Sequence, residues 1–117
     1  MIKILSIDVK PNDNEYDEYK MQLSIVSDKI VPRYSLIIQD DDEYEGKELI
    51  LILNDDLYNE RKFHILRSYN IKLINDVYDT LSTILSKNIT TENRRYNILI
   101  VCKNSEEYTI SVEKLSF

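Results

Sequence analysis

Carboxylates are the most concentrated chemically active groups in this sequence, and one short segment holds a dense row of them. The segment Asp40 to Glu45, named here the acidic segment, has five carboxylates in six residues, with Tyr44 as the remaining member. An extended chain advances about 3.3 Å per residue, close to the spacing of about 3.4 Å between phosphates along one strand of B-DNA. Such a row can imitate phosphates. Its carboxylates belong to Asp40, Asp41, Asp42, Glu43 and Glu45.

A second group of acids follows the first predicted strand and lies next to Tyr16 and Tyr19. This second acidic cluster consists of Asp13, Glu15, Asp17 and Glu18. If the strands that flank each acidic group form hairpins in one sheet, the two loops lie at the same end of that sheet and form one acidic surface. The alternative is that these exposed acids only keep the protein soluble.

The acids do not match a calcium loop. An EF-hand needs Gly at loop position 6 and a bidentate Glu at position 12. A loop that starts at Asp41 has Gly46 at position 6 but Ile52 at position 12, which cannot bind a cation. A loop that starts at Asp13 has Glu18 and Ser24 at these positions. One His and one Cys also exclude a zinc site of the Cys/His type, so we expect no metal.

Catalytic groups are scarce. Nucleophilic catalysis needs a nucleophile and a base within hydrogen-bond reach, and the candidates are Cys102 and His64. They form a dyad only if the predicted helix lies over the end of the strand that carries Cys102. We interpret His64 as structural and Cys102 as a small hydrophobic residue. Because Gly46 is the only glycine, a glycine-rich phosphate loop is excluded, and we expect no cofactor and no enzyme activity.

Charge indicates the kind of partner. The formal net charge is −6, and residues 1–60 contain 15 acids and 6 bases whereas residues 61–117 contain 6 acids and 9 bases. An acidic protein is repelled by phosphate backbones and by anionic lipid, so we expect no direct binding to nucleic acid or membrane. A basic protein partner complements it. The basic residues of the second half form a solvated face or pair with the acidic half of a second copy, which would favour a homo-oligomer.

Length and composition predict one domain over residues 1–117, located in the cytoplasm. A chain of 117 residues has the usual size of one domain. A single cysteine excludes an internal disulfide, and the apolar start ends at Asp8, too early for a signal peptide. The bias toward Ile, Asn, Lys and Tyr without Ala is typical of AT-rich bacterial or viral genomes, and the host cytoplasm is the expected location for a viral protein.

Branched and aromatic residues predict six strands. Residues 19–25 alternate apolar and polar side chains, which is typical of a strand with one exposed face. The other predicted strands are 2–9, 34–38, 48–53, 96–102 and 108–112, with turns at 11–14 and 104–106 and a hairpin loop at the acidic segment.

Between residues 57 and 85 the apolar spacing changes to three and four, which predicts an amphipathic helical region that starts after Asn54-Asp55-Asp56. The stripe consists of Leu57, Ile65, Leu66, Tyr69, Leu73, Ile74, Val77, Tyr78, Leu81, Ile84 and Leu85. One helix of that length would exceed the width of the domain, so we expect a break at 68–71. The alternative is that 62–67 is a strand. The fold class is therefore α+β: an antiparallel sheet in the order ββββ-α(α)-ββ with one or two helices on one face.

These observations lead to one functional hypothesis and two alternatives. We predict a small acidic interaction protein of the inhibitor type, as antitoxins, immunity proteins and viral anti-defence proteins are, which occupies a basic, nucleic-acid-binding surface of its partner. The acidic segment supplies the main contact, with Tyr44 as an aromatic anchor, and the second acidic cluster supplies another. The first alternative is a structural or assembly subunit that forms homo-oligomers. The second is a small-ligand enzyme, which requires a pocket that holds His64 or Cys102.

Overall fold

The structure, a computed structural model, describes residues 4–12, 18–26, 33–41, 46–54, 60–86, 94–103 and 106–115. These ranges form an α+β fold of seven strands and one helix, in agreement with the predicted class. The strands are β1 (Ile4–Asn12), β2 (Glu18–Val26), β3 (Arg33–Asp40), β4 (Lys47–Asn54), β5 (Glu60–Ser68), β6 (Arg94–Cys102) and β7 (Tyr108–Leu115), and helix α1 (Ile71–Ser86) lies between β5 and β6.

The strands form two antiparallel sheets, so the expectation of a single sheet is wrong. One sheet has the strand order β1-β2-β6-β7 and the other has the order β3-β4-β5. The chain correspondingly divides into two compact units: a four-stranded unit with β1, β2, β6 and β7, and a three-stranded unit with β3, β4, β5 and α1. The proposal that 1–117 is one domain stays a prediction.

In the four-stranded unit, β6 is a central strand. It pairs with β2 on one side and with β7 on the other. Tyr96, Ile98 and Ile100 alternate along β6 and are buried, and Met21 lies opposite Ile98 and is buried as well. Period-2 spacing places these three β6 side chains on one face of the strand, and this face carries the apolar core of the sheet. Pro11 and Asn12, predicted as a turn, instead end β1.

In the three-stranded unit, the central strand β4 and helix α1 carry most of the buried apolar residues. Leu49, Leu51 and Leu53 alternate along it and are nearly inaccessible to solvent. Helix α1 contacts β3, β4 and β5. The buried helical residues recur at spacings of three and four, which is the pattern of an amphipathic helix: Leu73, Ile74, Val77, Leu81, Ile84 and Leu85. Burial of these leucines, isoleucines and the valine is the main stabilising contribution of this unit.

Strand β5 confirms the alternative in which residues 62–67 are extended. Its pairing with β4 is shifted between Leu49 and Ile50: Leu49 lies opposite Leu66 but Ile50 lies opposite His64, so Ile65 is an extra residue. This is a β-bulge, and the consecutive residues Ile65 and Leu66 are both buried. The prediction that Ile65 and Leu66 belong to the helical stripe is therefore wrong.

The break expected at 68–71 in the predicted helical region is found, but the segment before it is strand β5 rather than helix. Helix α1 begins at Ile71 after Asn70, whose Oδ1 accepts a hydrogen bond of 3.2 Å from the backbone N–H of Leu73. This is the geometry of an N-cap, which satisfies a backbone donor that the helix itself cannot pair. Tyr69, predicted on the helical stripe, precedes the helix with an exposed side chain. Helix α1 does not combine the length and the apolar character that crossing a membrane requires.

The helical region predicted to start after Asn54-Asp55-Asp56 does not include residues 60–68, which form β5. Asn54 is the last residue of β4 and pairs with Glu60, the first residue of β5. Asp55 and Asp56 of that predicted start, and Leu57 of the predicted stripe, lie outside the described residues. The order of four strands, helical region and two strands agrees with the prediction, with β5 added before the helix.

Two isoleucines of α1 give a matched test of this packing. Ile74 is fully buried, whereas Ile71 is 43% exposed. We expect Ile74→Ala to lower the free energy of unfolding by about 2–5 kcal/mol, because the lost transfer energy adds to a cavity. Ile71→Ala should change it by less than about 1 kcal/mol. Chemical denaturation measures both, and equal losses would contradict the placement of the helix core.

Candidate partner-binding site at the acidic segment

The acidic segment connects two paired strands, as predicted. Strands β3 and β4 are antiparallel, and Asp40, the last residue of β3, lies opposite Lys47, the first residue of β4. The backbone N–H of Asp41 donates a hydrogen bond of 3.2 Å to the carbonyl of Gly46. This bond closes the hairpin at its base. Of the predicted contact residues in the segment, Asp42, Glu43, Tyr44 and Glu45 lie outside the described residues.

Asp40 forms an ion pair across the hairpin. Lys47 Nζ donates to Asp40 Oδ1, and the two residues are direct cross-strand partners. The Asp40 side chain is 81% exposed, so water screens the pair. Exposed pairs of this kind contribute about 0–1 kcal/mol. Asp40 is therefore accessible to a partner, although Lys47 offsets part of its charge.

Asp41 differs from its neighbour because its side chain is 6% exposed. Its Oδ2 lies 3.3 Å from Nε of Arg67, the partner of Glu48 in the pairing of β5 with β4. A carboxylate removed from water is costly unless a cation balances it. Arg67 supplies that cation and ties the base of the acidic segment to β5.

A buried glutamate lies beside this pair. Among the described residues, Glu48 is the charged residue that is buried as a whole, backbone and side chain together. Its carboxylate has three neighbouring side chains, one on β3 and two on β5. His64 Nδ1 hydrogen-bonds to Oε1, Arg67 Nε lies 3.5 Å from Oε1, and Gln39 Nε2 lies 3.5 Å from Oε2. The two distances of 3.5 Å are long for hydrogen bonds, so Arg67 acts mainly through its charge. We name this group of side chains the Glu48 cluster. It consists of Gln39, Asp41, Glu48, His64 and Arg67.

The pKa of Glu48 results from opposing effects. Burial raises the pKa of this carboxyl, but the hydrogen bond and charge of His64, the charge of Arg67 and the hydrogen bond from Gln39 lower it by more. The net pKa lies below the usual range of a glutamate. Glu48 is thus a buried carboxylate held in its charged form by side chains of both neighbouring strands.

The β-bulge in β5 brings His64 to this cluster. With regular pairing, His64 would lie opposite Leu51 on the face that holds the leucines of β4. The extra residue Ile65 shifts the pairing, so His64 lies opposite Ile50, two residues along β4 from Glu48 and on the same face. His64 is therefore on a strand, not on the predicted helix, and its role as a structural histidine is explained by its contact with Glu48.

Gly46 is required where the hairpin approaches the connection between β5 and α1. A Cβ at this position would lie 2.6 Å from the carbonyl oxygen of Ser68 and 3.2 Å from the backbone N of Tyr69. These are backbone atoms, which cannot rotate away as a side chain can. The only glycine of the chain thus permits the hairpin base to lie directly against residues that precede the helix.

The second acidic cluster belongs to a different sheet. Strands β1 and β2 form the predicted hairpin, in which Glu18 lies opposite Asn12, and Glu18 is also in register with Val101 of β6. Asp13, Glu15 and Asp17 lie outside the described residues. Because β1–β2 and β3–β4 lie in separate sheets, the premise of a common sheet end is wrong. A joint acidic surface is left as a proposal.

The other candidate residues are placed as follows. Cys102 ends β6 and is half-buried, whereas His64 lies on β5, so the two belong to different sheets. Cys102 follows the apolar residues of β6, as predicted. In the described part of the chain, no three His, Cys, Asp or Glu side chains are arranged to hold a metal ion.

The Glu48 cluster was not predicted from the sequence, although a signal was present. Glu48 is a charged residue at the start of an apolar strand, and such a residue becomes buried when the strand is central in its sheet. Comparison of the chain with protein-family models, with curated proteins and with solved structures finds no match. The geometry of the hairpin and its cluster is therefore the basis for a functional proposal.

Acidification should test the Glu48 cluster. We expect Glu48→Gln to lower the free energy of unfolding at neutral pH by about 1.5–3 kcal/mol, the usual value of hydrogen bonds to a charged group. Because the folded pKa is lowered, the stabilisation is present above the unfolded pKa of about 4.5 and is lost as pH falls through the folded pKa. The difference in the free energy of unfolding between wild type and Glu48→Gln should therefore shrink as the pH falls through the folded pKa of Glu48. Denaturation curves recorded at several pH values measure it. Glu113→Gln, at an exposed position, is the control and should change little at any pH.

Replacement of the glycine should test the close approach at the hairpin base. We expect Gly46→Ala to destabilise the protein by about 1–3 kcal/mol, because the added Cβ meets the Ser68 carbonyl and forces a backbone shift. Urea denaturation measures the loss. Ser35→Ala, at an exposed position of β3, should be nearly neutral. A Gly46→Ala variant as stable as wild type would refute this backbone contact.

Proposed function

We propose that this chain is a non-enzymatic acidic interaction protein of the inhibitor type, the functional type of antitoxins, immunity proteins and viral anti-defence proteins. It occupies a basic, nucleic-acid-binding surface of a partner protein. The observation that carries the proposal is the acidic segment between two paired strands, with its base tied to β5 through Asp41 and Arg67. A binding segment whose ends are fixed loses less conformational entropy on binding than a free one.

The acids of the segment have different roles in this proposal. Asp41 is a positioning residue, because its carboxylate is buried beside Arg67. Asp40 is exposed and forms an ion pair with Lys47, so it contributes less to partner binding than a carboxylate without a cation beside it would. Asp42, Glu43 and Glu45 are the main charged contacts, with Tyr44 as an aromatic anchor. The second acidic cluster, Asp13, Glu15, Asp17 and Glu18, is the additional contact.

The mechanism is competitive occupancy. The carboxylate row pairs with Lys and Arg side chains that otherwise hold phosphates, so the partner cannot bind its nucleic acid at the same time. Opposite charges steer the two proteins together, which makes association fast and sensitive to salt. The excess of acids over bases in residues 1–60 supports this mechanism, since it extends the negative electrostatic potential beyond the acidic segment. The site of action is the cytoplasm, or the host cytoplasm if the protein is viral.

A structural or assembly subunit is the second candidate, and exposed apolar residues on terminal strands favour it. Ile37 on β3 and Val112 on β7 are 39% and 47% exposed, and both strands lie at the edge of their sheet. Terminal strands with exposed backbone groups pair readily with other chains. In this candidate function the protein acts through contacts between copies rather than through its acids.

Charge neutralisation distinguishes the two functions. Asp42→Asn/Glu43→Gln/Glu45→Gln should weaken capture of a basic protein from a lysate of the source organism or its host at low salt by more than tenfold. The matched control, Glu106→Gln/Glu107→Gln/Glu113→Gln, removes three exposed acids on or beside β7 and should keep most of the binding. Quantitative mass spectrometry at low and moderate salt measures both. The captured protein, once purified, should lose its bound nucleic acid when wild type is added.

Three outcomes would contradict the proposal. Equal losses in the two triple variants would mean that only net charge matters. Full binding by the first variant at low salt would remove the acidic segment from the site. A captured partner that binds nucleic acid and this protein simultaneously would exclude competitive occupancy.

A further inference from the structure

Strand β3 is an unusually unprotected sheet edge. It is a terminal strand of the order β3-β4-β5, and its register with β4 is continuous, without a bulge. From Tyr34 to Gln39 it contains neither a charged residue nor proline. Terminal strands present backbone N–H and C=O groups that a further strand can pair with, and proteins normally block them with charges, proline or bulges. None of these devices is present in this stretch.

The other terminal strands contain such devices. Strand β1 includes Lys10 and Pro11. Strand β5 has the bulge at Ile65 and the exposed cations Arg61 and Lys62. Strand β7 carries adjacent exposed charges at positions 113 and 114. Strand β3 has charged residues only at its two ends, Arg33 and Asp40, so among the four terminal strands it has the longest stretch, six residues, without charge or proline.

An apolar side chain of β3, Ile37, is also exposed at this edge of the sheet. Ile37 lies opposite Ile50 of β4 in the register of the sheet. Ile50 is 1% exposed, whereas Ile37 is 39% exposed. If a further strand paired with β3, an apolar side chain opposite Ile37 would remove Ile37 from water. Cross-strand apolar pairs of this kind stabilise a sheet.

We propose that a second copy of this chain supplies that strand, with β3 of each copy pairing antiparallel about a twofold axis at Ile37. In this register Ile37 lies opposite Ile37 of the second copy, and Leu36 lies opposite Ile38. The polar residues Ser35 and Gln39 then face each other, and Tyr34 faces Asp40. Apolar residues meet apolar residues, and no like charges are opposed.

Neighbouring registers fit less well. A twofold axis normal to the sheet keeps each side chain on its own face. The neighbouring registers are therefore those in which the axis passes through the next residue of β3 in either direction, Leu36 or Ile38. An axis at Leu36 would place Ile37 opposite Ser35. An axis at Ile38 would place Leu36 opposite the carboxylate of Asp40. The sequence of β3 is thus self-complementary in one register.

The result is a continuous six-stranded sheet in the order β5-β4-β3-β3-β4-β5. The two acidic segments begin at opposite ends of the paired strands, with their Asp41 residues about 26 Å apart at 3.3 Å per residue. The pairing goes beyond the proposed function and does not depend on it, since it uses β3 rather than the acids of the segment.

Charge at position 37 tests the pairing. Sedimentation velocity of the full chain over a range of concentrations should give a species with the mass of two chains. Ile37→Lys and Ile37→Glu should each remain at the mass of one chain, because like charges then face each other across the axis. An equimolar mixture of the two variants should recover the mass of two chains, since a lysine of one chain would then lie opposite a glutamate of the other.

Val112→Lys is the matched control, because it adds the same charge to an exposed position of the other sheet's terminal strand β7. It should form the two-chain species as wild type does. Circular dichroism of each variant establishes that it is folded, and recovery on mixing is observed only with folded chains. A wild type that stays at the mass of one chain, a two-chain Ile37→Lys, a single-chain Val112→Lys or a failure to recover on mixing would each overturn the proposal.

Discussion

The pairing of β5 with β4 in the three-stranded unit is linked to the need of one buried carboxylate for polar partners. Glu48 lies on the central strand, and its charge is costly unless opposite charges lie nearby. Arg67 supplies such a charge and His64 supplies a hydrogen bond. Both are on β5, so the pairing of β5 with β4 must bring two side chains three positions apart to the same face. The bulge at Ile65 achieves this. Arg67 then also reaches Asp41, and the acidic segment is fixed at its base.

Strands with strict alternation could be predicted from sequence because they depend on local spacing. The break at 68–71 was expected because one helix over 57–85 would exceed the width of the domain, whereas the N-cap at Asn70 was not predicted. Strand β5 could not be assigned with certainty. Its bulge makes Ile65 and Leu66 consecutive buried residues, and such a pair resembles the spacing of a helical stripe. The division into two sheets was also missed, because it depends on the pairing of β2 with the distant strand β6. Local periodicity contains no information about that pairing.

The candidate site shows the same limit. The acidic segment and its hairpin could be found from composition and from the single glycine. The different environments of Asp40 and Asp41 could not, since these adjacent identical residues are 81% and 6% exposed. That difference follows from their ion-pair partners, Lys47 directly across the hairpin and Arg67 on β5, and so depends on the register of β4 with both of its neighbours. The Glu48 cluster was missed for the same reason, because its members come from three strands and from Asp41, which follows β3.

The order of the strands in the two sheets has a consequence for biosynthesis. Strands β3 to β5 and helix α1 are one uninterrupted stretch inserted between β2 and β6, so their hydrogen-bond partners all emerge from the ribosome together. Strand β2 must wait for β6, and β6 pairs in turn with β7, so the four-stranded sheet is completed only after β7 has been synthesised. The nascent chain therefore presents β2 without its second neighbour, β6, while the inserted unit already has all of its strands, and this interval is where a chaperone would be most useful.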